Sequence, residues 1–433
     1  MMRKPLYSQD QSALAGGQKF GMMAGCQESA QRVVWSMHTP SPAFVPAPQC
    51  RDCSVIRTRG WSPWFDGEEN DLRRMWHGSP GLVRPYRRRV RDLPCGPYRI
   101  YLDLEVRRVD CRRCGKVKRE RLEFLLENAL HTERSARYVG RRCRTGTIKA
   151  IATEMNLDWQ TVKRLEMRFM RMQLERAPKP NPQALGIDEI SIRKGHVYRI
   201  VVSDLHRQRP IWFGGEDRSE RSMDEFYRFL GEKKARRVRL AVMDMWKPFR
   251  NSTTRHAPQA AILFDKFHVL RHLGEALDKV RKQEYARLSG KGRAFIKGQK
   301  YALLAHPHNL EGSARKNLKR LLAANKRLNT AYLLKESFGQ MWDYRSEAWA
   351  RKFFENWRAQ LKWQRLKSYE KFAEMIDRHW DGIAAYCNPR NKVSLGFVEG
   401  LNNKIRVIQR RAYGLHDEEY LKLKVLTCML PEL

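Results

Sequence analysis

ALGIDEISI (Ala184 to Ile192) is the stretch from which the fold is read. Apolar and β-branched residues run through it, as in a strand buried within a sheet. VYRIVVSD (Val197 to Asp204) and PIWFGGE (Pro210 to Glu216) repeat that composition across turn-like separators, which makes three strands in a row. SMDEFYRFLGEKK (Ser222 to Lys234) then changes period, and Met223, Phe226, Phe229 and Leu230 share one face of a helix. RVRLAVMD (Arg237 to Asp244) and AAILFD (Ala260 to Asp265) are two further strands. The predicted order is β-β-β-α-β-α-β.

Three carboxylates stand out on this frame. Asp188 lies inside the first strand, Asp244 ends the fourth in AVMDMW, and Glu399 sits in the helical segment FVEGLNNKI (Phe397 to Ile405). Acids at strand ends and on one helix can converge on two Mg²⁺ (or Mn²⁺) ions, which clamp the attacking and leaving oxygens of an in-line phosphoryl displacement. Mg²⁺ needs only a few carboxylates, with water and substrate phosphate completing its shell. A β-β-β-α-β-α-β core followed by a helix is the ribonuclease-H-like layout that uses this device. Taken singly, each acid reads better as a turn cap or an arginine partner; the three together with the strand order favour metal binding. Asp265 rivals Asp244 for the second position, and His268 either orients a phosphate or leaving group or is a hydrogen-bonded core histidine. Asp204 and Glu189 are weaker candidates.

Upstream lie two C-x₂-C pairs, Cys50/Cys53 and Cys111/Cys114. Two such knuckles supply the four thiolates of a tetrahedral Zn²⁺ site. Their separation exceeds the usual zinc-ribbon loop, and Cys95 is a competing thiol. Cys26, Cys143, Cys387 and Cys428 read as packing residues. Between the pairs runs RPYRRRVRDLP (Arg84 to Pro94), where Arg87, Arg88 and Arg89 suit phosphate contacts. TGTIKAIATEMNLDWQTVKRLEMRFM (Thr145 to Met170) has the spacing of a helix-turn-helix. Ile148, Ile151 and Ala152 line its first helix, Asn156-Leu157 turns, and Val162, Leu165 and Phe169 line the second. Gln160, Lys163 and Arg164, with Asp158 and Trp159, then fall near the start of a recognition helix.

Downstream of Lys266 almost everything to Arg390 reads as helix. Val269, Leu270, Leu273, Leu277 and Val280 form one face, and Trp342, Trp349, Trp357, Trp363 and Trp380 point to a core of its own. Residues 1–45 are a loose, Gly- and Ser-rich extension.

Composition narrows the function. The 433 residues carry 85 Lys and Arg against 47 Asp and Glu, a net charge of +38. Such a surplus opposes compaction unless a polyanion neutralises it, and nucleic acid is that polyanion. The chain is 42% hydrophobic, which argues against disorder. No run of residues approaches a membrane span, and no export signal is visible. A cytoplasmic protein with metal-binding thiols is therefore expected. No G-x-x-x-x-G-K-[ST] motif is present, so no nucleotide is expected. No nucleophile set among arginines suggests a tyrosine or serine recombinase.

GIDEISIRKGHVY, VMDMW, FDKFHVLRHLGEALDKVR and VEGLNNKIRVIQRRAYGL resemble the ISL3 family of bacterial insertion-sequence transposases, and the cysteine module with RDLP resembles that family's N-terminal region. The resemblance runs from Cys50 to the C-terminus. It implies a DDE-type transposase that acts with Mg²⁺ on the terminal inverted repeats of its element, cleaving and transferring strands. The triad then maps to Asp188, Asp244 and Glu399, with Asn403 and Lys404 beside it as DNA contacts. Double-stranded DNA is the implied partner, and at least a dimer is expected on it because two ends must be joined. The expected architecture is a multidomain α/β chain: extension 1–45, zinc-ribbon-like module 46–120, helix-turn-helix region 121–180, ribonuclease-H-like core 181–269, all-helical insertion 270–390, and a C-terminal part 391–433 carrying the Glu399 helix. Two other readings remain open at this point: a zinc-containing regulator that binds specific DNA through a silent nuclease-like domain, and a structure-specific nuclease.

Overall fold

The computed structural model describes residues 32–33, 55–57, 81–111, 116–119, 122–128, 130–193, 195, 197–394, 396–412 and 415–432. The chain divides into two compact units, Met1–Ala136 and Arg137–Leu433.

In the first unit, β1 (Arg32–Val33), β2 (Val55–Arg57), β3 (Gly81–Arg91) and β5 (Lys116–Arg119) all pair with β4 (Arg99–Cys111). β4 runs on beyond the alternating stretch that ends at Val106. Its small core is Val90, Leu102 and Leu104, with Leu125 against them. Asp92 is fully buried and accepts a hydrogen bond from Thr132 Oγ1 (2.7 Å) and others from Arg134. The arginine run lies in β3, where side chains alternate between faces. Arg87 and Arg89 are exposed, whereas Arg88 is half-buried and donates to the Asn128 carbonyl. Cys50, Cys53 and Cys114 lie outside the described residues, as does the Cys111 side chain, and so does the predicted zinc site.

The second unit takes in the end of α1 (Glu133–Arg142), then α2 (Ile148–Met155) and α3 (Trp159–Arg176). Thr147 caps α2 by accepting from Ala150 N at 3.1 Å, and Asn156 ends it in the left-handed region (φ 47°). Asp158 caps α3 by accepting from Thr161 N at 3.0 Å. Ile151, Ala152, Val162, Leu165 and Phe169 are buried, as their spacing predicts. This is a helix-turn-helix.

Behind it, β6 (Ala184–Arg193), β7 (Val197–Asp204), β8 (Arg209–Gly214), β9 (Leu240–Met243) and β10 (Ala261–Phe264) form one mixed sheet in the order β10-β9-β6-β7-β8. β6-β7-β8 is an antiparallel meander, and β9 and β10 add parallel to β6 after helical crossovers. The crossovers are α4 (Glu220–Leu230) with the short α5 (Glu232–Ala235), and α6 (Lys247–His256). β9 is apolar throughout and wholly buried, which suits a central strand covered on both faces.

One face is covered by α4 and α6, and the helices that follow build outward from the same core. These are α7 (Lys266–Arg287), α8 (Gly290–Ile296), α9 (Lys300–Leu304), α10 (Gly312–Ala324), α11 (Lys326–Gly339), α12 (Glu347–Ala359), α13 (Lys367–Arg378) and α14 (Trp380–Ala384). Leu185, Ile187 and Met243 of the sheet belong to the same continuous cluster as Trp342, Phe354 and Trp357. The helical block therefore extends the sheet's core, where a separate core was expected, and α7 runs unbroken across position 270. Phe229, predicted inward, is 55% exposed; Tyr227 takes its place, with its hydroxyl donating to Thr253 Oγ1 at 3.0 Å. Leu270, Trp349 and Trp363 also face outward.

The other face is covered by α15 (Gly396–Arg411) and α16 (Glu418–Thr427), through Val398, Leu401, Ile405, Leu421 and Val425. α3 packs on α16 around a buried Glu166, which accepts from Lys424 Nζ at 2.7 Å and from the Tyr420 hydroxyl. No helix among the described residues is long and apolar enough to cross a membrane.

Candidate active site

The register of three parallel strands builds the site. Gly186 pairs with Val242, and Phe264 with Met243. Continuing those rows sets Asp188, midway along β6, beside Asp244 and Asp265, which directly follow β9 and β10, and Asp265 N donates to Met243 O at 2.9 Å. Alternation fixes the side: Val242 and Leu263, two residues before Asp244 and Asp265, pack beneath Val398, and Ile190, two after Asp188, packs against Leu401. All three acids thus emerge on the face that α15 covers.

Gly186 lets α15 come close. A Cβ there would lie 2.8 Å from Val398 Cγ2 and 2.7 Å from Ser203 Oγ. Val398 and Leu401 hold the helix down, and Glu399 stands exposed between them in its first turn. One turn on, the buried Asn402 donates from Nδ2 to Asp188 Oδ2, while its Oδ1 finds no hydrogen-bond partner.

The edge carries unbalanced negative charge. Burial pushes the Asp188 carboxyl above its ordinary value, against the pull of the Glu189 N–H, His268 and Asn402. Burial also pushes Asp265 up, and Asp244 and Glu399 add to the shift. Burial opposes ionisation of Asp244 too, but His268, the Met245 N–H and Arg271 outweigh it and hold that carboxyl below the usual range. His268 Nδ1 lies 3.1 Å from Asp244 Oδ2, an ion-pair separation that is off the line of a well-aligned hydrogen bond. Burial disfavours the His268 cation, yet Asp244, Asp188 and Asp265 together raise its basicity.

Among the described residues no group of three or more His, Cys, Asp or Glu side chains lies close enough together to hold a metal ion. The donor set nonetheless fits a hard divalent cation: several carboxylates on one edge, two of them costly to ionise without a counter-charge, and an orphaned amide oxygen beside Asp188. A site of this kind is completed by water and phosphate oxygens.

Other predicted residues fall elsewhere. Asp204 pairs in register with Leu185 at the opposite end of β6, and caps its own turn by accepting from His206 N and Arg207 N at 3.1 Å. Asp265, which stays within the row, also caps α7 by accepting from Phe267 N at 2.9 Å. Gln160 and Arg164 are exposed at the start of α3, and Asn403 and Lys404 on α15. Lys163 is occupied by Asp417 at 2.7 Å.

The sequence reading missed Asn402 and a second cluster. Arg218 lies between the rings of Tyr198 (4.4 Å) and Trp246 (4.8 Å) and pairs with Glu189 at 3.1 Å. It joins the residues that follow Asp188 and Asp244 in sequence. Asn402 sits three residues after Glu399, a helical spacing that places both on neighbouring positions of one face. No comparable spacing marks Arg218.

Comparison with known proteins adds independent findings. The profile of the ISL3-type DDE transposases, described as "Transposase", matches residues 185–425. The "Helix-turn-helix domain of transposase family ISL3" matches residues 120–169. The chain is 34% identical over 341 residues to the transposase for insertion sequence element IS1001 of Bordetella parapertussis, covering 78% of this chain and 83% of that one. It is 27% identical over 359 residues to the transposase for insertion sequence element IS1557 of Mycobacterium tuberculosis, covering 77% and 80%.

Proposed function

The chain belongs to the ISL3 family of transposases, and we propose that its chemistry is carried by Asp188, Asp244 and Glu399 on a ribonuclease-H-like core, acting at the terminal inverted repeats of its own element. As a DDE transposase it is an enzyme that cleaves and transfers DNA strands and depends on a divalent metal. The observation that supports the residue assignment is the common row of Asp188, Asp244 and Asp265 across three parallel strands, on the face that the Glu399 helix covers.

We take the metal to be Mg²⁺ or Mn²⁺, held by Asp188, Asp244 and Glu399. When bound, it activates the attacking oxygen and neutralises the phosphodiester. The chain's own residues do the rest. Asn402 holds the Asp188 carboxylate by Oδ2 and the Glu189 N–H holds it by Oδ1 at 2.8 Å, so the group is kept in one orientation for the metal and substrate. His268 holds Asp244 ionised and lies within the edge, where its ring can face a phosphate oxygen. Asp265 stands next in the row and is the alternative second ligand. Gln160 and Arg164 enter the major groove, Arg87 and Arg89 contact phosphates, and Asn403 and Lys404 bind DNA next to Glu399. Cys50, Cys53, Cys111 and Cys114 are assigned to Zn²⁺ on ligand type alone. Two copies at least assemble on DNA, in the bacterial cytoplasm, because two element ends are joined.

The test uses DNA flanking the gene, with intact or scrambled repeats, and a supercoiled target. Joined products from the intact repeats alone support the reading. Cutting of both substrates without joining identifies a structure-specific nuclease, and tight binding without cleavage in Mg²⁺ or Mn²⁺ identifies a regulator.

A further inference from the structure

The helical block hides some tryptophans and displays others. Trp342 and Trp357 are 3% and 1% exposed, whereas Trp363 is 79% exposed on the short connection between α12 and α13. The connection is firmly built. Leu361 and Leu366 anchor its two ends in the core at 3% and 1% exposure. Gln364 N donates to Leu361 O at 3.0 Å, and Arg327, beside Glu284, donates to the Arg365 carbonyl at 3.0 Å. Arg365 itself is held at φ 53°, a left-handed conformation that a long side chain rarely adopts. Backbone strain of this kind persists where surrounding structure enforces it, and is a pointer to function.

The chemistry around the ring is that of a polyanion site. Residues 362–371 carry Lys362, Arg365, Lys367 and Lys371 against one acid, Glu370, and all four cations are exposed. Lys362 Nζ lies 5.3 Å from the Trp363 ring centroid. The ring's sequence neighbours Lys362, Gln364 and Arg365 are exposed and polar, so no apolar patch continues from it along the chain. A lone, rigidly presented indole among cations suits stacking on a base whose phosphates the cations contact.

We propose that the Lys362–Arg365 loop is a further DNA-binding site, at which Trp363 stacks on an unpaired nucleobase. Single-stranded or locally opened DNA is its ligand, and Lys362, Arg365 and Lys367 hold the flanking phosphates. This deepens the reading of the chain as a DNA transposase and rests on it. Binding is measured separately from strand transfer, so either can fail without the other.

The experiment is fluorescence anisotropy of the full chain with a labelled single-stranded oligonucleotide and its matched duplex, over a salt series. Phosphate contacts weaken steeply with salt and stacking does not, so high salt isolates the ring. Trp363→Ala is expected to lower single-strand affinity about tenfold at high salt, with the salt slope unchanged. Trp363→Phe should restore most of it, and duplex affinity should stay at the wild-type level. Trp363 is exposed, so the thermal melt of Trp363→Ala should match the wild type. Equal affinity of wild type and Trp363→Ala for single strands at every salt concentration would overturn the proposal. So would an equal loss on duplex, or a loss of self-association in sedimentation with DNA binding intact, which would assign the loop to a second copy of the chain.

Discussion

Asp188, Asp244 and Asp265 stand together because the register of three parallel strands sets them in one row, and the charge they concentrate sets what each neighbour does. Asn402 is the clearest case, since its amide holds the carboxylate expected to face the metal. Replacing a hydrogen-bond partner of this kind costs roughly 10–100-fold in metal affinity or activity. Asn402→Ala should therefore lower cleavage by about that factor, and a Mn²⁺ titration should show the midpoint displaced upward. An unchanged midpoint would separate Asn402 from the metal. The His268–Asp244 pair gives a pH prediction. His268 is raised above 6.5, so its share of stability is complete below 6.5 and is lost as pH rises through the folded value. Asp244 is held below 3.8, so its share is present above 3.8 and is lost as pH falls through the folded value. Without metal, His268→Gln should lower the melting temperature between those limits and lose its effect well above them. Asp188 and Asp265 face the same ring and, being raised by burial, oppose folding as pH climbs. The acids were legible because each closes or interrupts an apolar run. Asn402 and Arg218 were not, because their partners lie 214 and 29 positions away and only the folded sheet brings them together.

Among the elements, the decisive contact is α15 on β6. Gly186→Ala places a methyl group 2.8 Å from Val398 Cγ2. Overpacking of this sort costs about 1–3 kcal/mol. The variant should lose activity beyond its loss of stability, because the same shift moves Glu399. Adding Val398→Ala should recover part of both, and a double-mutant cycle reads the coupling. Simple additivity would mean that the helix is not seated through this contact. The helix-turn-helix is likewise fixed by one buried group. Glu166→Ala leaves Lys424 without its carboxylate and should destabilise the chain by roughly 3 kcal/mol, measured by chemical denaturation. Element order and most inward faces followed from period alone. Phe229 did not, because Tyr227 offers as much apolar surface and a hydroxyl that Thr253 satisfies. The arginine run did not either: a period of two in β3 turns Arg88 away from its neighbours and toward Asn128.

For the whole molecule, charge and topology point the same way. A net charge of +38 makes DNA affinity steeply salt-dependent, and each phosphate contact removed should lower the log–log slope by about one. Arg164→Ala should do so on duplex DNA, whereas Trp363→Ala should leave the slope alone. The helical block was legible as an insertion between the fifth strand and the Glu399 helix. That it shares one continuous core with the sheet was not, since hydrophobic periodicity tells which face is buried and not against what.

The assignment of Asp188, Asp244 and Glu399 is tested most directly by strand transfer with four variants side by side: Asp188→Asn, Asp244→Asn, Asp265→Asn and Glu399→Gln, all checked for DNA binding. The account predicts that all four bind element ends, that Asp265→Asn still yields joined products, and that the other three yield none. Joined products from Asp244→Asn together with their absence from Asp265→Asn would move the second ligand to β10, and joined products from Asp188→Asn or Glu399→Gln would contradict the account outright.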